Sequence, residues 1–340
     1  MKKFNYFQAF SRNIGWVTQE EQELLRNKRV AIGGLGGVGG SHLICLARMG
    51  IGKFNISDLD EFELANFNRQ YGATTQTIGK PKISVMEKTL REINPEAEIN
   101  SFPMGINEDN LEKFLDGVDI YIDSLDIFAL EIRRKVFQKC YEKGIPAITA
   151  APMGMGTATL CFLPGQMTFE EYFTFSEDMP FHDKIIKFVI GVSPTVMQRH
   201  YLVDRSSVNF LKKKVPSTAI GIDLAAGVAS TQALKILLSR GGVLPAPWGL
   251  HFDAYHGKLK RTWRPWGNRN PLQYLMFKYV KRLLQKEELK ERQLDASQQA
   301  TGLLNERDHL SLKTIHEEKN HLEIRENSVK LKTSPPEQNP

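Results

Sequence analysis

Residues 33–40 read GGLGGVGG, directly after the apolar run VAI at 30–32. Glycines at this density let backbone N–H groups approach an anion closely, and a helix beginning there adds its own unpaired N–H groups. Gly34, Gly36, Gly37 and Gly39 stand in a G-x-G-G-x-G order between a strand pattern and a helix pattern. The chemistry on offer is the binding of a phosphate chain. Asp58 follows 19 residues after Gly39, where a second strand ends and a ribose hydroxyl is met. That much fits two ligands: a dinucleotide carried as a redox cofactor, or a triphosphate about to be cleaved.

The next residues favour the triphosphate. SDLDEFELANFNRQ places Asp58 and Asp60 in alternation, then Asn66, Arg69 and Gln70, and IGKPK downstream carries Lys80 and Lys82. A nicotinamide dinucleotide has only a diphosphate, whose charge the helix terminus largely meets. Arg69 and Lys82, turned into one pocket, would meet the β- and γ-phosphates of ATP and the charge of departing pyrophosphate. Each cation alone could be an ordinary surface charge; their order behind the glycine loop is what carries weight. An NAD(H)-dependent oxidoreductase is the rival on the same loop.

These residues need a frame that brings loops to one edge. Strand-like runs at 29–32, 53–57, 98–103, 119–123 and 147–150 alternate with helical patterns at 38–49, 81–93, 109–115 and 128–143. Pro81 suits a first helical turn, while Asn94-Pro95 and Lys143-Gly144 are stops. The alternation predicts an α/β fold, a doubly wound, Rossmann-like, mostly parallel sheet with helices on both faces. A further strand at 157–162 is expected to return antiparallel at the edge. From 164 to 217 the pattern loosens and aromatics mix with charges, which reads as an irregular crossover insertion or lid. A long helix is expected over 217–240. The reading divides the chain into a nucleotide-binding domain at 1–250, a basic amphipathic helical extension at 251–293, and a polar, disordered tail at 294–340.

Taken together, GLGGVG, DLDEFELANFNRQ, IGKPK, INP and DIYIDSLD resemble the adenylyltransferase domain of the ThiF/MoeB and ubiquitin-activating enzyme superfamily. The resemblance covers about residues 10–163 and resumes in AAGVASTQALKILL. It implies ATP- and Mg²⁺-dependent adenylation of a carboxylate, commonly the C-terminus of a small ubiquitin-like protein. On this implication Gly34, Gly36, Gly37 and Gly39 line the nucleotide, Asp58 and Asp60 belong to its site with Asp58 on the ribose, and Asn66, Arg69 and Lys82 contact the phosphates. Asp126 in DSLD matches the acid near Mg²⁺ and the α-phosphate. Arg12 in SRN matches an arginine that reaches the neighbour's ATP site in family homodimers, so a homodimer is expected. A non-catalytic partner subunit of an activating complex is a further alternative.

The chain departs from the family in its cysteines. Cys45, Cys140 and Cys161 are its three, none lies beyond position 161, and no C-x-x-C pair exists for zinc. Each reads as core, so adenylation without an enzyme-bound thioester is expected. Unpaired cysteines, no signal-like leader and no stretch near the ~20 apolar residues of a spanning helix point to the cytoplasm. His182, His200, His251 and His256 lack metal-site spacing. The formal charge is +6, with 41% hydrophobic residues and 25% charged. It is unevenly spread: residues 257–285 hold eight Lys or Arg and no acid. In the helix expected from Pro271, Leu272, Leu275, Met276, Tyr279, Val280 and Leu283 share a face, and Lys278, Lys281, Arg282 and Gln285 point away. Packing on the protein's own domain or on a dimer partner is expected of it, with an anionic membrane surface docking on 257–293 as the alternative. No nucleic-acid motif is present.

Overall fold

Eight strands form one sheet in the order β3-β2-β1-β4-β5-β6-β7-β8 among the described residues. They are β1 (Arg29–Gly33), β2 (Lys53–Ser57), β3 (Glu98–Phe102), β4 (Ile120–Asp123), β5 (Ala147–Pro152), β6 (Gly156–Phe162), β7 (Trp248–Asp253) and β8 (Lys258–Trp263). The first five pair in parallel, and β6, β7 and β8 add on antiparallel. The helices among the described residues include α1 (Tyr6–Ala9), α2 (Gln19–Asn27), α3 (Gly37–Arg48), α4 (Lys82–Ile93), α5 (Leu111–Phe114), α6 (Leu130–Glu142), α7 (Phe169–Phe173), α8 (Phe181–Val192) and α9 (Ala219–Leu237). This computed structural model describes residues 3–204, 207, 208, 215–286 and 289. The chain divides into two units, Met1–Lys281 and Arg282–Pro340; of the second, residues 282–286 are described as helical.

The sheet is doubly wound, as the strand–helix alternation predicts. All five residues of β1 are buried, because helices cover both faces and a central parallel strand has no solvent side. One face carries α3, α4 and α9, with Leu43, Met86, Leu90 and the alanines at 225, 229 and 233 in its core. The alanines recur every four residues and let α9 lie close against α3. The other face is aromatic: Phe114, Tyr121, Phe137, Phe162, Phe169, Tyr172, Phe173 and Phe188. Burying each such ring is worth about 1.5–3 kcal/mol. Parallel order 3-2-1-4-5 reverses direction between β1 and β4, so the crevice outside their C-terminal ends is where a ligand fits.

Four expectations need correction. The strand at 157–162 is not the edge, since β7 and β8 extend the sheet beyond it and occupy 248–263, across the expected domain boundary at 250. The crossover is not irregular throughout: α7 and α8 fold there, α7 opened by a Thr168–Glu171 capping box. Their apolar side chains meet the aromatic face of the sheet, a tertiary contact with no sequence period. Helix α9 has the length and hydropathy of a membrane span, contrary to the expectation that no segment does; it packs on α3, β5 and β6. Finally, residues 271–281 are helical, yet Leu272, Leu275 and Tyr279 face solvent and Gln273 is buried, its amide donating to the Ile190 carbonyl at 2.9 Å. A hydrogen bond from a polar residue orients that helix, so the apolar stripe does not point inward. The tail at 294–340 and parts of the crossover (205–206, 209–214) lie outside the described residues.

Candidate active site

The glycine loop is in backbone contact with the end of β4. Gly34 has φ +90°, and a Cβ there would stand 2.6 Å from the Ser124 carbonyl oxygen. Ser124 N donates to the Gly33 carbonyl at 3.0 Å, and Gly34 N donates to Ser57 O at 2.8 Å. These bonds knit the ends of β1, β2 and β4 into one floor. At Gly37 a Cβ would approach Ile222 Cδ1 at 2.8 Å and Arg69 Cγ at 3.7 Å, so Arg69 lies beside the first turn of α3. Gly36 is different: a Cβ there meets nothing nearer than the Gln70 amide at 3.6 Å.

Asp58, Asp60 and Lys82 form a chain leading away from the loop. The buried Asp58 carboxylate accepts from Leu35 N at 2.6 Å through Oδ2 and from Asp60 N at 2.8 Å through Oδ1. Burial raises its pKa against the pull of those two N–H groups and of Lys82. Asp60 then pairs with Lys82, Nζ to Oδ2 at 3.0 Å. The lysine side chain is 7% exposed and that of Asp60 61%, so the cation is sheltered while its partner is open to solvent. Lys82 opens α4, and its own N–H donates to the Asp60 carbonyl at 2.9 Å.

Asn66 is buried and its Oδ1 accepts from Glu63 N, closing the turn that presents Arg69. Arg69 Nη1 donates to Ala65 O at 2.8 Å and Asn68 Oδ1 at 2.9 Å, with no carboxylate partner among the described residues. Gln70 is 8% exposed, and its Oε1 has no hydrogen-bond partner among the described residues. Asn68 also donates to Ser217 O at 2.9 Å, tying the end of the crossover to this turn.

Asp126 is exposed just past β4. Its Oδ1 accepts from Phe128 N at 2.9 Å. Asp123, one turn earlier, is buried and paired with Arg133 at 2.8 Å. Beneath the loop, His42 of α3 places Nδ1 3.0 Å from Ser124 Oγ, and full burial depresses its pKa to about 4. The structure therefore joins the glycine loop to Asp58 through Leu35 N and to Ser124, two residues before Asp126, with Arg69 Cγ beside Gly37, while Lys82 connects to this group through Asp60. Arg12 does not join them. It is exposed in a short 3₁₀ turn whose Asn13 bonds Arg48 O at the far end of α3. At 1.5 Å per residue, that end lies roughly 16 Å from the glycine loop.

Sequence reasoning missed Arg133 and His42. Arg133 sits in EIRRKV among other helix charges, and His42 stands alone in an apolar helix; only the fold pairs them with Asp123 and Ser124.

The ThiF family model matches residues 10–274. The tRNA threonylcarbamoyladenosine dehydratase of Bacillus subtilis is 36% identical over 151 residues, 44% of this chain and 58% of that protein. The sulfur carrier protein ThiS adenylyltransferase of Escherichia coli is 29% identical over 160 residues, 46% of this chain and 63% of that protein. The matched region thus spans less than two thirds of either relative. The solved structure of E. coli MccB with MccA-N7isoASN shares the fold at a TM-score of 0.58 and 19% identity, covering 76% of this chain and 72% of that one.

Proposed function

The chain belongs to the ThiF family, and on that premise we propose that it is an ATP-dependent adenylyltransferase that converts a carboxylate to an acyl-adenylate. The substrate carboxylate oxygen attacks the α-phosphorus, the bond to the bridging oxygen breaks, and pyrophosphate leaves. The nucleophile is already ionised, so no strong general base is required. The barrier is electrostatic, and the loop N–H groups with Arg69 and Lys82 would stabilise the charge that moves onto the leaving group. The observation that carries this reading is Arg69, whose Cγ lies beside the N-terminus of α3 and whose guanidinium, bonded to Ala65 O and Asn68 Oδ1, has no carboxylate partner among the described residues. A triphosphate supplies phosphate oxygens beyond those the helix N-terminus meets, with which this guanidinium can pair.

Mg²⁺ fits one carboxylate here. Asp123 is occupied by Arg133, whereas Asp126 is exposed and keeps Oδ2 clear of any described hydrogen bond. Mg²⁺ commonly takes one carboxylate, with phosphate oxygens and waters completing its shell. When bound there it would neutralise phosphate charge. Asp58 would meet the ribose, and Asp60 and Asn66 would hold Lys82 and the Arg69 turn.

The carboxylate we assign is the C-terminus of a small ubiquitin-like or sulfur-carrier-like protein, supported by the relative named for a sulfur carrier. The relative named for a modified tRNA nucleoside makes that RNA the competing carboxylate bearer. The test is ATP–pyrophosphate exchange with a Gly-Gly-ending carrier or with tRNA. Exchange driven by the carrier and abolished in Asp126→Ala and Arg69→Ala is expected. Exchange driven by tRNA alone would replace the substrate, and stabilisation by NADH but not by ATP with Mg²⁺ would replace the function.

We propose that Arg12 acts in trans, a reading supported by its distance from its own glycine loop. A homodimer would let each Arg12 enter the other copy's site. Mixing inactive Arg12→Ala with inactive Asp126→Ala should then restore roughly a quarter of wild-type exchange through mixed dimers; no recovery would place Arg12 outside the site. The cytoplasm suits three unpaired cysteines.

For the basic segment we propose an anionic bilayer as partner. Leu259, Trp263, Trp266, Leu272, Leu275 and Tyr279 are each more than half exposed, and every charge from 257 to 281 is positive. Co-sedimentation with phosphatidylserine vesicles, absent with phosphatidylcholine alone and lost in Leu272→Ser/Leu275→Ser, is the expected result. Equal recovery of that variant would end the proposal.

A further inference from the structure

Asp126 is exposed, so its side chain is held by the Phe128 N–H bond to Oδ1 and by the backbone that carries it. Besides the bonds from Ser124 N to Gly33 O, Leu125 N to Asp123 Oδ1 and Ala129 N to Asp126 O, one guanidinium binds that backbone. Arg133 donates from Nε to Asp123 Oδ2 at 2.8 Å, from Nη1 to the Asp126 carbonyl at 3.2 Å, and from Nη2 to the Leu125 carbonyl. The side chains of Arg133 and Asp123 are 2% and 1% exposed. A buried arginine with each of its nitrogens engaged has no second set of partners, and leaving a buried charge unpaired is strongly unfavourable. Displacing the Asp126 loop from Arg133 would therefore leave the buried guanidinium short of partners.

The guanidinium carbon lies 4.6 Å from the centroid of Phe188, which is buried on α8 in the crossover. A cation over a ring at this distance is attracted to its face. Lys184 to Glu131 at 3.0 Å and Arg134 to Glu170 at 2.8 Å fasten the same two regions, α6 and the crossover. At its other end the crossover is tied to the Arg69 turn through Asn68 and Ser217. The crossover thus bears on both the acid and the cation of the site.

We infer that Arg133 is a positioning residue coupling α8 of the crossover to Asp126, so that displacement of the crossover sets the carboxylate in or out of place and thereby regulates adenylation. The inference rests on the reading that Asp126 serves the α-phosphate. It assigns Arg133 no contact with substrate.

Phe188→Leu tests it, since leucine keeps the site apolar and removes the ring face. Two measurements are made on the full chain: ATP–pyrophosphate exchange, and hydrogen–deuterium exchange of the amides at 125–129. The variant should lose about tenfold in kcat with KM for ATP within twofold, and its 125–129 amides should exchange faster while α3 and β1 keep their protection. Arg133→Lys, which keeps the charge but loses the fork, should reproduce both effects. Unchanged amide exchange in a folded Phe188→Leu protein would overturn the coupling. If the wild type shows no pyrophosphate exchange but the amides respond as expected, the adenylation reading fails and the mechanical coupling stands. Faster amide exchange with kcat intact would overturn the regulatory claim.

Discussion

Gly39 and Gly34 are in contact so close that no side chain fits between them: a Cβ on Gly39 would stand 1.8 Å from the Gly34 carbonyl oxygen. It would also lie 2.9 Å from Ser124 Cβ. The first turn of α3 is thereby pressed onto the loop and onto the end of β4.

Substitution at these glycines should separate folding from binding. Gly39→Ala is expected to destabilise the protein by about 3 kcal/mol or more, because backbone must move. Gly36→Ala meets nothing nearer than 3.6 Å, so urea unfolding should shift by no more than about 1–2 kcal/mol. ATP affinity, measured by calorimetry, should nevertheless fall, since the added methyl projects into the space assigned to phosphate. Unaltered affinity would move the nucleotide off Gly36.

Lys82 and Asp60 should not be equivalent. Losing a cation that stabilises the departing charge costs about 2.7–4 kcal/mol, so Lys82→Met should lower kcat/KM for pyrophosphate exchange by about 10²–10³-fold. Asp60 is mostly exposed, and an open carboxylate in an ion pair contributes little, so Asp60→Asn should cost less than about tenfold. Matching losses would mean that Lys82 acts only through Asp60.

Stability should fall on mild acidification. Burial depresses His42 and His251 from the ordinary 6.5 to about 4. Between those values the unfolded chain binds protons that the folded one refuses; the stabilisation is complete above pH 6.5 and lost as pH falls toward 4. Asp58, whose carboxyl burial pushes up, works in the opposite sense with one proton against two. Urea unfolding should give a free energy lower at pH 5 than at pH 7 by about 2–4 kcal/mol, with the difference reduced in His42→Gln. A flat profile would show that both imidazoles titrate normally.

Cys161 should be inert. It is buried on β6, and desolvation pushes its thiol up to about 12, so thiolate is scarce at neutral pH. Exchange activity should survive alkylating reagents in the native state. A reductant-sensitive adduct between Cys161 and a carrier protein, formed only with ATP, would contradict this.

The glycine-loop edge of the sheet was legible because its determinants are local. Gly34 to Gly39, Asp58 and Lys82 lie at strand ends and helix starts, and a strand–turn–helix pattern carries its own register. The crossover was not, although Thr168 and Glu171 announced one helix start. Its helices are held by Phe162, Phe173 and Phe188 meeting across 26 residues of chain, and such contacts leave no period. Strands β7 and β8 were hidden for a related reason: β8 alternates Lys258 and Lys260 with exposed Leu259 and Trp263, a pattern that reads as a basic surface until β7 pairs with it.

Sequence alone determined that this chain winds a parallel sheet around a glycine loop and sets acids and cations in fixed order behind it, since backbone sterics and short-range periodicity suffice for that. Tertiary structure alone decided which charges are sheltered, which face solvent, and that a buried guanidinium joins Asp123, the Asp126 loop and Phe188 of the crossover. Desolvation and hydrogen-bond saturation depend on everything packed around a group, and those neighbours come from segments far apart in the chain.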